Sequence, residues 1–171
     1  MKKIIYLLPL ILISFTCSNN DSVDIPESET FLERYDSTVW VSNTDDKNNY
    51  IRFLNDLDHP IEYWLDGGAC FYYMREDFTM QGSIIENLNN RLAFQYFEND
   101  GDTTYLDKVT ITISGSIMIA SYEFYENETL YESGSIYFTK SNKSVDDFEC
   151  VVTSLLTPGL KDFIAFEDKS H

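Results

Sequence analysis

The sequence predicts an all-β domain, an antiparallel up-and-down barrel of about eight strands, with a β-sandwich as the alternative. Three observations lead there. Aromatics are abundant, with 12 Phe, 12 Tyr and 2 Trp in 171 residues, and aromatic side chains favour strands. Apolar and polar residues alternate with period two, most clearly where Val109, Ile111 and Ile113 interleave with Thr110, Thr112 and Ser114. Short apolar segments recur at near-regular spacing, separated by turn-forming residues and by no long helical period. Closing such a meander would remove the sticky edges of an open sheet.

The elements follow in order. Phe31–Tyr35 reads as one helical turn or a plug, with Phe31, Leu32 and Tyr35 on one side. Strands are expected over residues 38–42, around Trp40, and over 50–54, 61–65 and 70–74. The third is introduced by His59-Pro60 and closed by Asp66-Gly67-Gly68. Residues 84–88 read as short or irregular, and 91–97, 105–114, 117–125 and 129–139 as full strands. Turns fall at Asn99-Asp100-Gly101-Asp102, Gly115-Ser116 and Asn127-Glu128. From Ser144 to His171 the alternation fades. Val145–Val152 reads as a short helix or an extra strand, and Phe163–Phe166 is apolar enough to need burial, so this tail is expected to pack outside the barrel.

The start of the chain carries an address. Met1-Lys2-Lys3 is cationic, Ile4–Phe15 is almost wholly apolar, and Cys17 precedes the polar Ser18-Asn19-Asn20-Asp21. That is the pattern of a secretory signal, and the apolar run falls short of the roughly 20 residues a membrane helix needs. The cysteine at the junction resembles the lipobox of bacterial lipoproteins, which implies lipidation of Cys17. The organisation is then signal peptide over 1–16, a flexible acidic tether over 17–30, the barrel over 31–143 and a packed extension over 144–171. The expected location is outside the cytoplasm, lipid-anchored in the outer membrane on its periplasmic or cell-surface side.

Charge narrows the partners. Removing Lys2 and Lys3 with the signal leaves 10 Lys and Arg against 29 Asp and Glu, a formal charge of −19. So much negative charge opposes binding to nucleic acid, another polyanion. Cys70 and Cys150 remain once Cys17 is taken. In an oxidising compartment they are expected to pair as a disulfide, the alternative being two separately buried thiols.

Catalytic patterns are scarce. Only His59 and His171 are present, with no His-Glu-x-x-His and no Gly-x-Ser-x-Gly elbow. The turn at Asn99–Asp102 lacks the acidic positions of a calcium loop. Asp56, Asp58, Glu62 and Asp66 flank the third strand, as a glycosidase carboxylate pair would, but read as solvated acids. Neither an enzyme nor a cofactor or metal is expected. The aromatic residues are more suggestive. Tyr63, Phe71, Tyr73, Phe94, Tyr96, Tyr122 and Phe124 are candidates to line a pocket for a small apolar or amphipathic ligand, unless they simply fill the barrel.

The segment Tyr35-Asp36-Ser37-Thr38-Val39-Trp40, with Trp on the first strand, resembles the small lipocalin-like lipoproteins of Bacteroidetes-type bacteria. The likeness runs over Phe31 to Lys140. It implies that Trp40 plugs the closed end of the barrel and that the protein binds a small apolar ligand. The alternative is a cavity-less protein- or glycan-interaction module, an accessory of a cell-surface complex. The partners expected are therefore a small apolar ligand or a surface protein, with the membrane reached through the lipid anchor.

Overall fold

The computed structural model describes residues 29–44, 47–79 and 81–153. Cys17, where lipidation is expected, the expected signal, most of the expected tether and the apolar end of the tail lie outside the described residues.

After a short helix α1 (Phe31–Tyr35) come β1 (Val39–Thr44), β2 (Lys47–Phe53), β3 (Ile61–Asp66), β4 (Phe71–Arg75) and β5 (Gly82–Leu88). These are followed by β6 (Arg91–Asp100), β7 (Thr103–Ser114), β8 (Ile117–Glu126) and β9 (Thr129–Lys140). A 3-10 turn (Val145–Asp147) leads to β10 (Val151–Thr153). Thr30 caps α1 by accepting from the Glu33 N–H, while the Glu33 carboxylate takes the Thr30 N–H at 2.8 Å. Residues 84–88, expected to be short or irregular, form most of a seven-residue strand with a register shift between Ile84 and Glu86.

All ten strands belong to one sheet, ordered β10-β4-β3-β2-β1-β9-β8-β7-β6-β5. Every neighbouring pair is antiparallel except β10, which runs parallel to β4. In the second half, two-residue turns join β5 through β9, and Gly101 (φ 64°), Gly115 (φ 63°) and Asn127 (φ 48°) supply the left-handed backbone that tight hairpins need.

The all-β meander is therefore as expected from the sequence, and the sheet is not a sandwich. Strand pairing also does not close it into a barrel. β1 pairs with β9, as the first and last strands of a barrel would, but β4 and β5 are not hydrogen-bonded to each other. The cause is topological. Alternating directions around the sheet leave β4 and β5 parallel, and a parallel pair needs a crossover of about a dozen residues or more. Only six residues, 76–81, connect them.

The sheet still curls around one core. Trp40, Ile51, Phe53, Ile61, Tyr63, Phe94, Ile111, Phe124 and Phe138, from seven strands, meet with Phe31 and Leu32 of α1 in a single buried cluster. The seam between β4 and β5 is filled by their own connection. Phe78 packs against Phe94 and Tyr96 with ring centroids 5.2 and 5.1 Å away. The Glu76 carboxylate is 1% exposed and accepts the hydroxyls of Tyr63 on β3, at 2.8 Å, and of Tyr96 on β6. Burial, reinforced by the Glu76 charge, pushes both phenols far above their ordinary range.

A second, smaller cluster covers the outer face of β1–β4. Val39, Tyr50, Trp64 and Phe148 are buried there, with Val41, Phe71, Tyr73 and Val145 against them. The described part of the tail, residues 144–153, thus packs on the outside of the sheet, held by the Cys70–Cys150 disulfide (Cα–Cα 4.9 Å) and by the Phe71 N–H donating to the Cys150 carbonyl at 3.0 Å.

Candidate functional site: the outer face of β6 to β9

The two halves of the sheet treat their outer faces differently. That of β1–β4 lies under the tail, whereas that of β6–β9 carries large apolar groups in solvent. Register places Phe97, Leu106 and Tyr125 side by side on β6, β7 and β8, with Leu130 opposite Tyr125 on β9. Phe97 is 52% exposed and Leu130 49%. Alternation puts Phe124 in the core and Tyr125 on the outer face, and the register shift lies on β9, whose pairing steps from Glu132 to Leu130 and so brings Leu130 opposite Tyr125. Along this row lies a concavity of about 390 Å³ lined by Phe97, Thr104, Leu106, Lys108, Tyr125 and Glu128.

Polar contacts fix its floor. Asn127 donates its N–H to the Thr104 carbonyl at 2.8 Å and accepts the Thr104 N–H at 2.9 Å, tying the start of β7 to the β8–β9 turn. The Lys108 ammonium stands 4.7 Å above the Tyr125 ring, and the Tyr125 hydroxyl donates to Glu123 at 2.7 Å. That hydrogen bond raises the Tyr125 pKa. The site offers an aromatic and aliphatic strip with Lys108, Glu123, Glu128 and Thr104 at its margin. Such a strip can stack on or pack against a partner, and nothing in it activates a nucleophile.

The aromatic residues expected from the sequence to line a pocket divide between the two faces. Tyr63, Phe94 and Phe124 are each 1% exposed on the inner face, where Tyr96 and Tyr122 pack beside them. Tyr122 lies across Gly134 of β9, where an added Cβ would come 2.5 Å from its hydroxyl oxygen. Phe71 and Tyr73 lie on the opposite face, in the cluster under the tail. Trp40 sits in the inner cluster at the α1 end, its indole N–H donating to Thr38 Oγ1 at 3.1 Å and Tyr35 edge-on at 6.2 Å.

One acid departs from the expectation of solvation. Glu62 is buried at 5% exposure, receives Arg52 Nε at 2.7 Å and accepts the Tyr73 hydroxyl at 2.6 Å. Burial and that hydrogen bond push the Tyr73 pKa up to about 12. Glu76 was not singled out from the sequence at all, and its signal is faint: one acid after a strand, flanked by Arg75 and Asp77. Asp56 is partly exposed and paired with Arg75 at 3.1 Å. Among the described residues no group of three His, Cys, Asp or Glu is arranged to hold a metal ion.

Nor do the residues missed from the sequence form a reacting centre. Phe97, Leu106 and Leu130 lay in expected strands, but their exposure depends on what covers each face, and that is set by the tail. No known protein family model, curated protein or solved structure matches this chain.

Proposed function

We propose that this protein is an exported, lipid-anchored interaction module without catalytic activity, which meets its partner through the outer face of β6–β9. Of the two roles the sequence leaves open, small-ligand carrier and interaction module, one observation favours the second. The large side chains that would line a carrier's interior fill it instead: Trp40, Tyr63, Phe94, Phe124 and Phe138 are all at 1% exposure. The concavity lies outside, along Phe97, Leu106 and Tyr125. Exposed apolar rows with a polar margin are characteristic of contact surfaces. The signal pattern and Cys17 support anchoring at a membrane.

Native mass spectrometry of protein purified from the producing cell tests this reading. The expected mass is that of the polypeptide and its lipid. A stoichiometric apolar adduct that persists in Phe97→Ser and Tyr125→Ser variants would instead place a carrier site inside the sheet.

A further inference from the structure

Away from that face, the tail and β1–β4 build an aromatic box around a cation. Tyr50 from β2, Phe71 from β4 and Phe148 after the 3-10 turn stand with ring centroids 5.8, 5.0 and 5.2 Å apart and planes inclined by 71°, 68° and 71°. Three rings so steep to one another form walls, not a stack. The Lys143 ammonium lies 5.1, 5.7 and 5.4 Å from the centroids of Tyr50, Phe71 and Phe148. Trp64 backs the box, stacked on Phe148 at 4.8 Å.

We propose that this box is a receptor for an alkylated ammonium group, with Lys143 as its built-in occupant. Two of the walls are held covalently in place, because the Cys70–Cys150 bridge joins the residue before Phe71 to the residue two after Phe148. Preorganisation of this kind lowers the cost of binding. The present occupant is a poor match for the site. A lysine ammonium is a compact, strongly hydrated charge, which gives up water on entering an aromatic cage. A quaternary ammonium carries its charge on methyl groups with no N–H to hydrate, and aromatic cages recognise it. Lys143 is itself exposed, in the connection 141–144 between β9 and the 3-10 turn, so its side chain can be exchanged for a ligand without breaking a strand. The formal charge of −19 expected for the exported chain concentrates cations at its surface.

Titration of the intact, oxidised protein with choline, and with its uncharged isostere 3,3-dimethylbutan-1-ol, tests the proposal through tryptophan fluorescence. A saturable change with choline and none with the isostere is expected. Lys143→Ala removes the competitor and should tighten choline binding about two- to fivefold, the worth of one exposed cation–π contact. Phe71→Leu keeps apolar bulk in a half-buried wall and should abolish binding while leaving the strand circular dichroism intact. Absence of a saturable response in both wild type and Lys143→Ala would overturn the proposal. So would an equal response to the isostere, or full binding by Phe71→Leu. Lys143→Ala binding no tighter than wild type would remove Lys143 as occupant.

Discussion

The ring of Trp64 lies flat on the ring of Phe148, with centroids 4.8 Å apart and planes 10° from parallel. Period two sets Trp64 on the outer face of β3, between Glu62 and Asp66, where a strand of a lone barrel would meet water. Phe148 of the tail covers it, leaving Trp64 4% exposed. The outer face of β1–β4 is thus a second core, assembled by a segment some 80 residues further along the chain.

Truncating either tryptophan should therefore be costly. Trp40→Ala and Trp64→Ala are each expected to lower stability by about 3–5 kcal/mol, the usual cost of emptying a buried aromatic site. Comparable falls in denaturant midpoint, followed by circular dichroism, would agree with two cores. A negligible loss at Trp64 would mean that the tail does not cover β3.

Reducing the Cys70–Cys150 bridge should loosen that cover. A loop of this length is worth about 4–5 kcal/mol in the chain-entropy model. Reductant is expected to lower the unfolding midpoint and to shift tryptophan emission to the red as Trp64 meets water. Unchanged emission after complete reduction would show that packing alone holds the tail.

The seam depends on Glu76. Glu76→Ala leaves the hydroxyls of Tyr63 and Tyr96 without this acceptor, at about 1–3 kcal/mol for each buried group left unsatisfied. Glu76→Gln, which keeps an acceptor, should lose clearly less. Equal losses in the two variants, measured by urea unfolding, would argue against the carboxylate as the bridge.

Alkali should act through the same residues. The phenols of Tyr63, Tyr73 and Tyr96 all have folded-state pKa values raised above 10, that of Tyr73 to about 12. A raised pKa gives stability that is complete below the unfolded value, near 10, and is lost as pH climbs through the folded value. The protein is expected to weaken above about pH 10. Ultraviolet difference spectra near 295 nm should show these tyrosines ionising only as the fold opens. Simple ionisation of every tyrosine near pH 10 in the folded protein would contradict the burial of these three.

Cys17→Ala should release the protein from membranes, since two or more acyl chains anchor firmly where none remains in the variant. Fractionation of producing cells decides it, and a variant that still sediments with membranes would count against lipidation.

Much of the fold is legible in the sequence because its signals are local. Val109, Ile111 and Ile113 declare a half-buried strand, and Gly101, Gly115 and Asn127 mark turns by the backbone they permit. What is not legible is long-range. No residue announces that β1 pairs with β9, or that β4 and β5 run parallel and leave a seam. The division of Tyr63, Phe94 and Phe124 from Phe71 and Tyr73 follows from strand parity. Which face is solvated depends on Phe148. Glu62 and Glu76 look like surface acids until Arg52, Tyr73, Tyr63 and Tyr96 are placed around them. The contact row Phe97–Leu106–Tyr125–Leu130 joins four strands, so it emerges only with register.

Site-specific photo-crosslinking in the producing cell tests whether that row meets a partner. Phe97 and Tyr125 would each be replaced by a photoreactive residue, with the 62%-exposed Leu57 as the control position. Surface replacements of this kind should change stability by no more than about 0.5 kcal/mol. The same discrete protein adduct from positions 97 and 125, and none from 57, is the result expected. No adduct from either position, or an identical one from position 57, would contradict a partner at the outer face of β6–β9.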